Sequence, residues 1–284
     1  MSIKNIVKFS FVLLVLAGCE RPEPKPEYYA YYTKEQRDSL SKVFDDMSNY
    51  MSQPTDKHRL YKDSAIILSP QNTDIRAQLS YSYKKRGDHI KAMKILNEAV
   101  EMDIKKGSYD LLKYRSWSYI YFYRDYEGTI ADVDQITKMS KRTYNVCWGE
   151  PCGLLKGLAQ YKLKKYHEAI NTFDTVLIEE AKLGFSPESS FLIYFYKGRC
   201  NQELKNYPEA LKNYGLVLRF DPNFTEALYQ SGLIYTEMKD IKRAKTNLEK
   251  AMVWVKLEKK MGEPYFERFD EVFEYQITDA LSKL

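Results

Sequence analysis

The sequence predicts an all-α chain built as a solenoid of stacked helix pairs, and three observations lead there. First, residues 194–222 and 228–251 nearly repeat each other: Gly198 falls on Gly232, Ala210 on Ala244, Tyr214 on Leu248 and Val217 on Ala251, each pair 34 residues apart. A fixed period of that length marks a repeat architecture. Second, small and large apolar residues recur three or four apart within each unit, so each unit reads as two antiparallel helices. Third, the composition, 44% hydrophobic and 29% charged, suits a soluble helical protein. Tyrosine is the outlier, with 25 copies.

Residues 1–18 stand apart from the fold. Lys4 and Lys8 precede an apolar run over 9–16, which is too short to span a bilayer and fits a secretory signal. Leu16, Ala17, Gly18 and Cys19 then resemble a bacterial lipobox. That resemblance implies cleavage before Cys19, a diacylglyceryl group on its thiol and a further acyl chain on the new N-terminus. Two or more chains anchor stably where one does not. The alternative is an ordinary secreted protein in which Cys19 is incidental. Loss of Lys4 and Lys8 takes the formal charge from +5 to +3. So small a surplus, on an exported chain, argues against a nucleic-acid partner.

Residues 19–32 read as a tether. Proline at every second position from Pro22 to Pro26 favours an extended spacer of roughly 25 Å at about 3.1 Å per residue. Tyr28, Tyr29, Tyr31 and Tyr32 follow. They suit lipid headgroups, the protein's own groove or, the favoured reading, packing on the first helix.

The array is expected over 33–258. Thr33 and Gln36 have capping-box spacing, so a helix begins at Lys34. A degenerate unit follows over 39–72, with His58 and Lys62 at positions where apolar residues are usual. The unit 73–106 places Ser80, Ala92 and Ala99 where helices approach closely and turns at Gly87 and Asp88. Unit 110–141 carries one extra residue before Asp125, which leaves its register open by one. Unit 150–183 has Gln160 at an apolar position, and a seven-residue insertion, 184–190, precedes unit 191–224. The fifth clear unit is 225–258, its second helix running to about residue 260. Residues 259–284 are expected to cap the array with a helix over 265–284, striped by Phe266, Phe269, Phe273, Ile277 and Leu281. Phe266, Phe269 and Phe273 are alternatively the face of a homodimer formed through this C-terminal helix.

These units resemble the tetratricopeptide repeat family. The resemblance implies a right-handed α-solenoid whose first helices line a concave groove. In unit 73–106 that face should present Tyr81, Lys84 and Lys85; in the next, Tyr114 and Trp117. Tyr161, then Phe195, Tyr196 and Arg199, then Tyr229 continue it. Aromatic and basic residues on one concave surface suit an extended protein segment, and they also suit stacking on sugar rings. The lysine and asparagine clamp of the family's chaperone-binding members is absent, since Ala77, Tyr81, Phe195 and Arg199 stand at such positions.

Catalytic signatures are missing: there is no GxSxG, HExxH, glycine-rich phosphate loop or CxxC. His58, His89 and His167 do not cluster. An enzyme, a metal site and a cofactor are therefore not expected. Cys147 and Cys152 flank Trp148, Gly149 and Pro151, and the pair is either a disulfide or two thiols, one of them able to pair with Cys200. Trp148 is either a partner anchor or buried against the second unit. The function expected is a lipid-anchored envelope scaffold or adaptor, in the outer membrane, binding an envelope protein or peptide in its groove. The alternatives are a carbohydrate-binding surface lipoprotein and a toxin-neutralising immunity protein.

Overall fold

The computed structural model describes residues 26–257 and 269–284. The signal segment, Cys19, most of the proline spacer and Phe266 lie outside the described residues. Two compact units divide the chain, one up to Met102 and one from Asp103, where the sequence suggested one uninterrupted array.

In the first unit, α1 (Lys34–Asn49) and α2 (Asp56–Leu68) form one helix pair, followed by α3 (Thr73–Arg86) and the greater part of α4 (His89–Lys105). Thr33 and Gln36 cap α1 reciprocally. Tyr29 meets Phe44 edge-on at 6.4 Å, and Phe44 stacks on Tyr61 at 6.2 Å. That pairing is how the tyrosine segment packs on the first helix, whereas Tyr31 is exposed. The two unusual residues of the degenerate unit are both buried. Lys62 pairs with Asp45 and Gln78, which meets the requirement that a buried ammonium be satisfied. Desolvation, reinforced by Lys62, pushes His58 down to about 4, so it is a neutral core residue rather than a solvated turn histidine. Gly87 ends α3 in the left-handed region (φ 92°), and the Asp88 N–H returns to the Tyr83 carbonyl at 3.0 Å.

The second unit continues with α5 (Asp110–Ser118), a π-helical turn (Tyr119–Tyr123) and α6 (Tyr126–Ser140). The extra residue before Asp125 is absorbed in that π-turn. A short hairpin, β1 (Val146–Cys147) and β2 (Glu150–Pro151), leads into α7 (Cys152–Lys162) and α8 (Tyr166–Lys182). The insertion forms a 3-10 turn, Pro187–Ser190. Next come α9 (Phe191–Glu203) with α10 (Tyr207–Phe220), then α11 (Thr225–Glu237) with α12 (Ile241–Leu257).

Three of these pairs, α7 with α8, α9 with α10 and α11 with α12, have a glycine facing a large side chain. A Cβ on Gly157 would lie 2.2 Å from the Phe173 ring, on Gly198 2.4 Å from Tyr214, and on Gly232 2.6 Å from Leu248. Helices that close demand glycine at the crossing. Gln160, polar in a buried position, accepts a hydrogen bond from the Thr172 hydroxyl at 2.7 Å.

The C-terminal region departs from expectation. Among the described residues of this region, 269–284, Glu274–Ser282 is helical (α13), while Phe269 and Asp270 form a turn and 271–273 have no regular structure. Val272, Ile277 and Ala280 cover Leu248, Ala251 and Val255 of α12. Phe269 is buried among aromatic partners that a helical stripe could not have given it, and those contacts outweigh the local periodicity. It is therefore not part of an exposed dimer face. Phe273 is partly exposed and stacks on Tyr275.

Candidate functional site

The hairpin is built by its turn. Trp148 (φ 53°) and Gly149 (φ 93°) are both left-handed, and Cys147 pairs with Glu150 across them. Two positive φ values make a primed two-residue turn, whose twist matches the strands. Glycine accepts that conformation freely, but for tryptophan it costs energy. A disulfide between Cys147 and Cys152, Cα atoms 4.9 Å apart, closes the loop. Its effect is to hold Trp148 up: the side chain is 63% exposed, with its ring 4.9 Å from Tyr114 and 6.3 Å from Trp117. Cys200 is a buried free thiol, which desolvation pushes up to about 12, so it is inert.

Below Trp148 opens a cavity of about 600 Å³, lined by Trp117, Tyr121, Leu158, Phe195 and Phe269 among others. That volume is within the range of ligand pockets. Glu150, Glu226 and Glu271 are also among the cavity's lining residues. The Tyr121 hydroxyl donates to Glu150 at 2.9 Å. Burial raises the Glu150 carboxyl above the usual carboxylate range, against the pull of that hydrogen bond, and burial likewise raises the Tyr121 phenol.

Along one wall lies the chain's own C-terminal segment. The Phe269 ring stacks on Tyr121 at 6.1 Å, meets Tyr126 edge-on at 6.4 Å and has the Lys162 ammonium 4.9 Å from its centroid. Its carbonyl accepts from the Tyr196 hydroxyl at 3.1 Å. Asp270 accepts from the Tyr161 hydroxyl at 3.1 Å, and the Arg199 guanidinium lies 3.6 Å away. Arg199 also donates to the Tyr161 oxygen at 3.1 Å.

The groove residues named from the sequence thus have different fates. Trp117, Phe195 and Tyr196 line the cavity, although Phe195 and Tyr196 are themselves buried. Tyr161 and Arg199 are engaged by Asp270. Tyr114 is buried beside Trp148, and Tyr229 packs with the cluster at the C-terminal end. In the first unit, the ammonium groups of Lys84 and Lys85 sit 4.8 and 5.0 Å from the Tyr81 ring centroid. Lys84 is buried, and desolvation followed by the charge of Lys85 pushes it down to about 7. Sequence reasoning missed Tyr121, Glu150 and Phe269. The signals for Tyr121 and Glu150 were the extra residue before Asp125 and the Trp-Gly pair between the cysteines.

Two segments, 73–103 and 225–252, match the tetratricopeptide repeat model. Similar solved structures include PilF of Pseudomonas aeruginosa, 14% identical, with a TM-score of 0.56 over 81% of this chain and 96% of that one. YrrB, described as a tetratricopeptide repeat protein with an unusual peptide-binding site, is 15% identical with a TM-score of 0.52, covering 78% of this chain and 98% of its own. The Cut9–Hcn1 assembly of the APC/C is 14% identical with a TM-score of 0.54, covering 87% of this chain and 46% of that chain. No curated protein sequence matches. The chain carries tetratricopeptide repeats in an all-α solenoid fold, and these structural likenesses extend to the fold alone.

Proposed function

We propose that this chain is a lipid-anchored scaffold or adaptor of a bacterial envelope, which binds an extended protein segment on the aromatic face of its second unit. The cavity beneath Trp148 carries the reading. It is apolar, of ligand size, and overhung by a tryptophan held in a costly backbone conformation. Strain of that kind persists where the surrounding structure enforces it, and it concentrates at binding and switch sites. A protein of similar fold, YrrB, has a peptide-binding site. The lipobox Leu16–Cys19 supports the anchor, and the Cys147–Cys152 bridge suits an exported chain.

Crosslinking in intact envelopes tests this directly. The wild-type chain is expected to capture one dominant protein, and Trp117→Ala to weaken that capture by more than about 1 kcal/mol, the threshold for a hot spot. Retention on a polysaccharide gel without any captured protein would replace the scaffold with a glycan-binding role. For the anchor, Cys19→Ala should leave the exported protein soluble; continued membrane association would rule out lipidation at Cys19.

A further inference from the structure

Phe269 and Asp270 occupy the concave face much as a bound peptide would. Three of their groups are read separately: the ring by Tyr121, Tyr126 and Lys162, the backbone carbonyl by Tyr196, and the carboxylate by Tyr161 and Arg199. The readers come from the π-turn, α6, α7 and α9, so the residues are assembled by the stacking of helices. Tyr161 takes a hydrogen bond from Arg199 and passes one to Asp270, which polarises its hydroxyl toward an anion.

The resident segment does not satisfy this site fully. Asp270 sits in a turn at φ 57°, a left-handed conformation that aspartate adopts more readily than most residues. Its second carboxylate oxygen, Oδ2, is buried without a hydrogen-bond partner, and a buried unsatisfied acceptor carries a desolvation penalty. A segment entering from another molecule is free of the turn that fixes the Asp270 carboxylate in this position. It can lie extended and bring a carboxylate closer to the Arg199 Nη2 than the 3.6 Å of Asp270, beside the Glu203 carboxylate that the same nitrogen holds at 3.2 Å.

We propose that the concave face recognises an aromatic residue followed by a carboxylate in an extended partner segment, and that Phe269–Asp270 is a resident copy of this motif which the partner displaces. The proposal rests on the peptide-binding reading above and names the chemistry of its partner. Ring and carboxylate are both needed, because Lys162 and Arg199 then each meet their complement.

The test uses the full chain and fluorescein-labelled decapeptides of Gly, Ser and Ala carrying Phe-Asp, Phe-Asn or Ala-Asp at the centre. Phe269→Ala with Asp270→Asn weakens the resident copy, and that variant should bind the Phe-Asp probe at least about tenfold more tightly than the wild type. Adding Arg199→Gln should cancel the gain. Asp270→Asn alone keeps the side-chain shape and guards against misfolding; it should gain about threefold, with its melting curve close to the wild type's. In the unaltered chain, excess Phe-Asp probe should speed exchange of the Val272 amide, which the resident segment holds against Glu226. Folded variants that gain nothing, together with unchanged exchange at Val272, would make the segment a fixed part of the core. Equal binding of all three probes would overturn the motif and leave the peptide groove standing. No binding of any probe by any variant would overturn both.

Discussion

Among the clear repeat units, the fourth (191–224, α9 and α10) and the second (110–141, α5 and α6, with the hairpin that follows) solve the same packing problem with different chemistry. In the fourth, Gly198 lets the Tyr214 ring sit against the helix backbone, and Tyr214 is completely buried. In the second, Arg115 reaches across to Asp132 in a two-bonded ion pair, 2.8 and 2.7 Å long. Burial raises the Asp132 carboxyl above its usual range although Arg115 pulls the other way. A buried pair of this kind is costly to break and not itself a large source of stability. The regular unit sets the spacing of its helices with Gly198 and still lends Phe195 and Tyr196 of α9 to the cavity wall, whereas the irregular one adds a π-turn and a strained tryptophan. The departures from the repeat thus complete a cavity whose other wall is regular.

The largest expected effects strike the packing of both units. Gly198→Val forces a branched side chain into the Tyr214 ring and should cost about 3 kcal/mol or more, read from the urea midpoint. A loss below about 1 kcal/mol would mean that the close approach is not required. Arg115→Ala leaves Asp132 buried without its partner and should cost about 3 kcal/mol. Arg115→Met with Asp132→Leu should restore most of it; if the double variant is no better than the single, the pair itself is a net source of stability and the contrast between the units weakens.

Smaller changes separate stability from binding. Cys147→Ser with Cys152→Ser opens the hairpin and should lower stability by roughly 2 kcal/mol on loop-entropy grounds. Partner capture should fall with it, and unimpaired capture would show that Trp148 needs no brace. Trp148→Gly is the sharpest case. Removing the side chain relieves about 1 kcal/mol of backbone strain and loses a ring contact of similar size. The melting temperature should barely move while partner capture weakens by more than about 1 kcal/mol. A clear gain in stability with unchanged capture would reduce Trp148 to a tolerated defect.

Much of the architecture was legible in the sequence because helix pairing is a local matter. The start of α1 follows from Thr33 and Gln36, and the glycine crossings Gly198 and Gly232 from a 34-residue period. The site was legible only in part. The family resemblance implied that Trp117, Phe195 and Tyr196 face the concave side, and in the structure these three are among the residues lining the cavity. Arg199 and Tyr161 were expected to face a partner, and they instead hold Asp270. Their occupant lies 71 and 109 residues away in sequence, beyond the reach of any periodicity.

By itself, then, the sequence determined the all-α class, the helix pairs and the small residues at their crossings, since those depend on spacing within some 34 residues. It also carried Leu16, Ala17, Gly18 and Cys19, the four residues whose resemblance to a lipobox underlies the proposed anchor. Tertiary structure alone decided that Phe269 and Asp270 would lie in a turn ahead of α13, with the Phe269 ring against Tyr121 in the groove. It decided too that a single extra residue would become a π-turn with Tyr121 facing the cavity. Both outcomes depend on burying rings against partners from several helices, an energy that no local pattern contains.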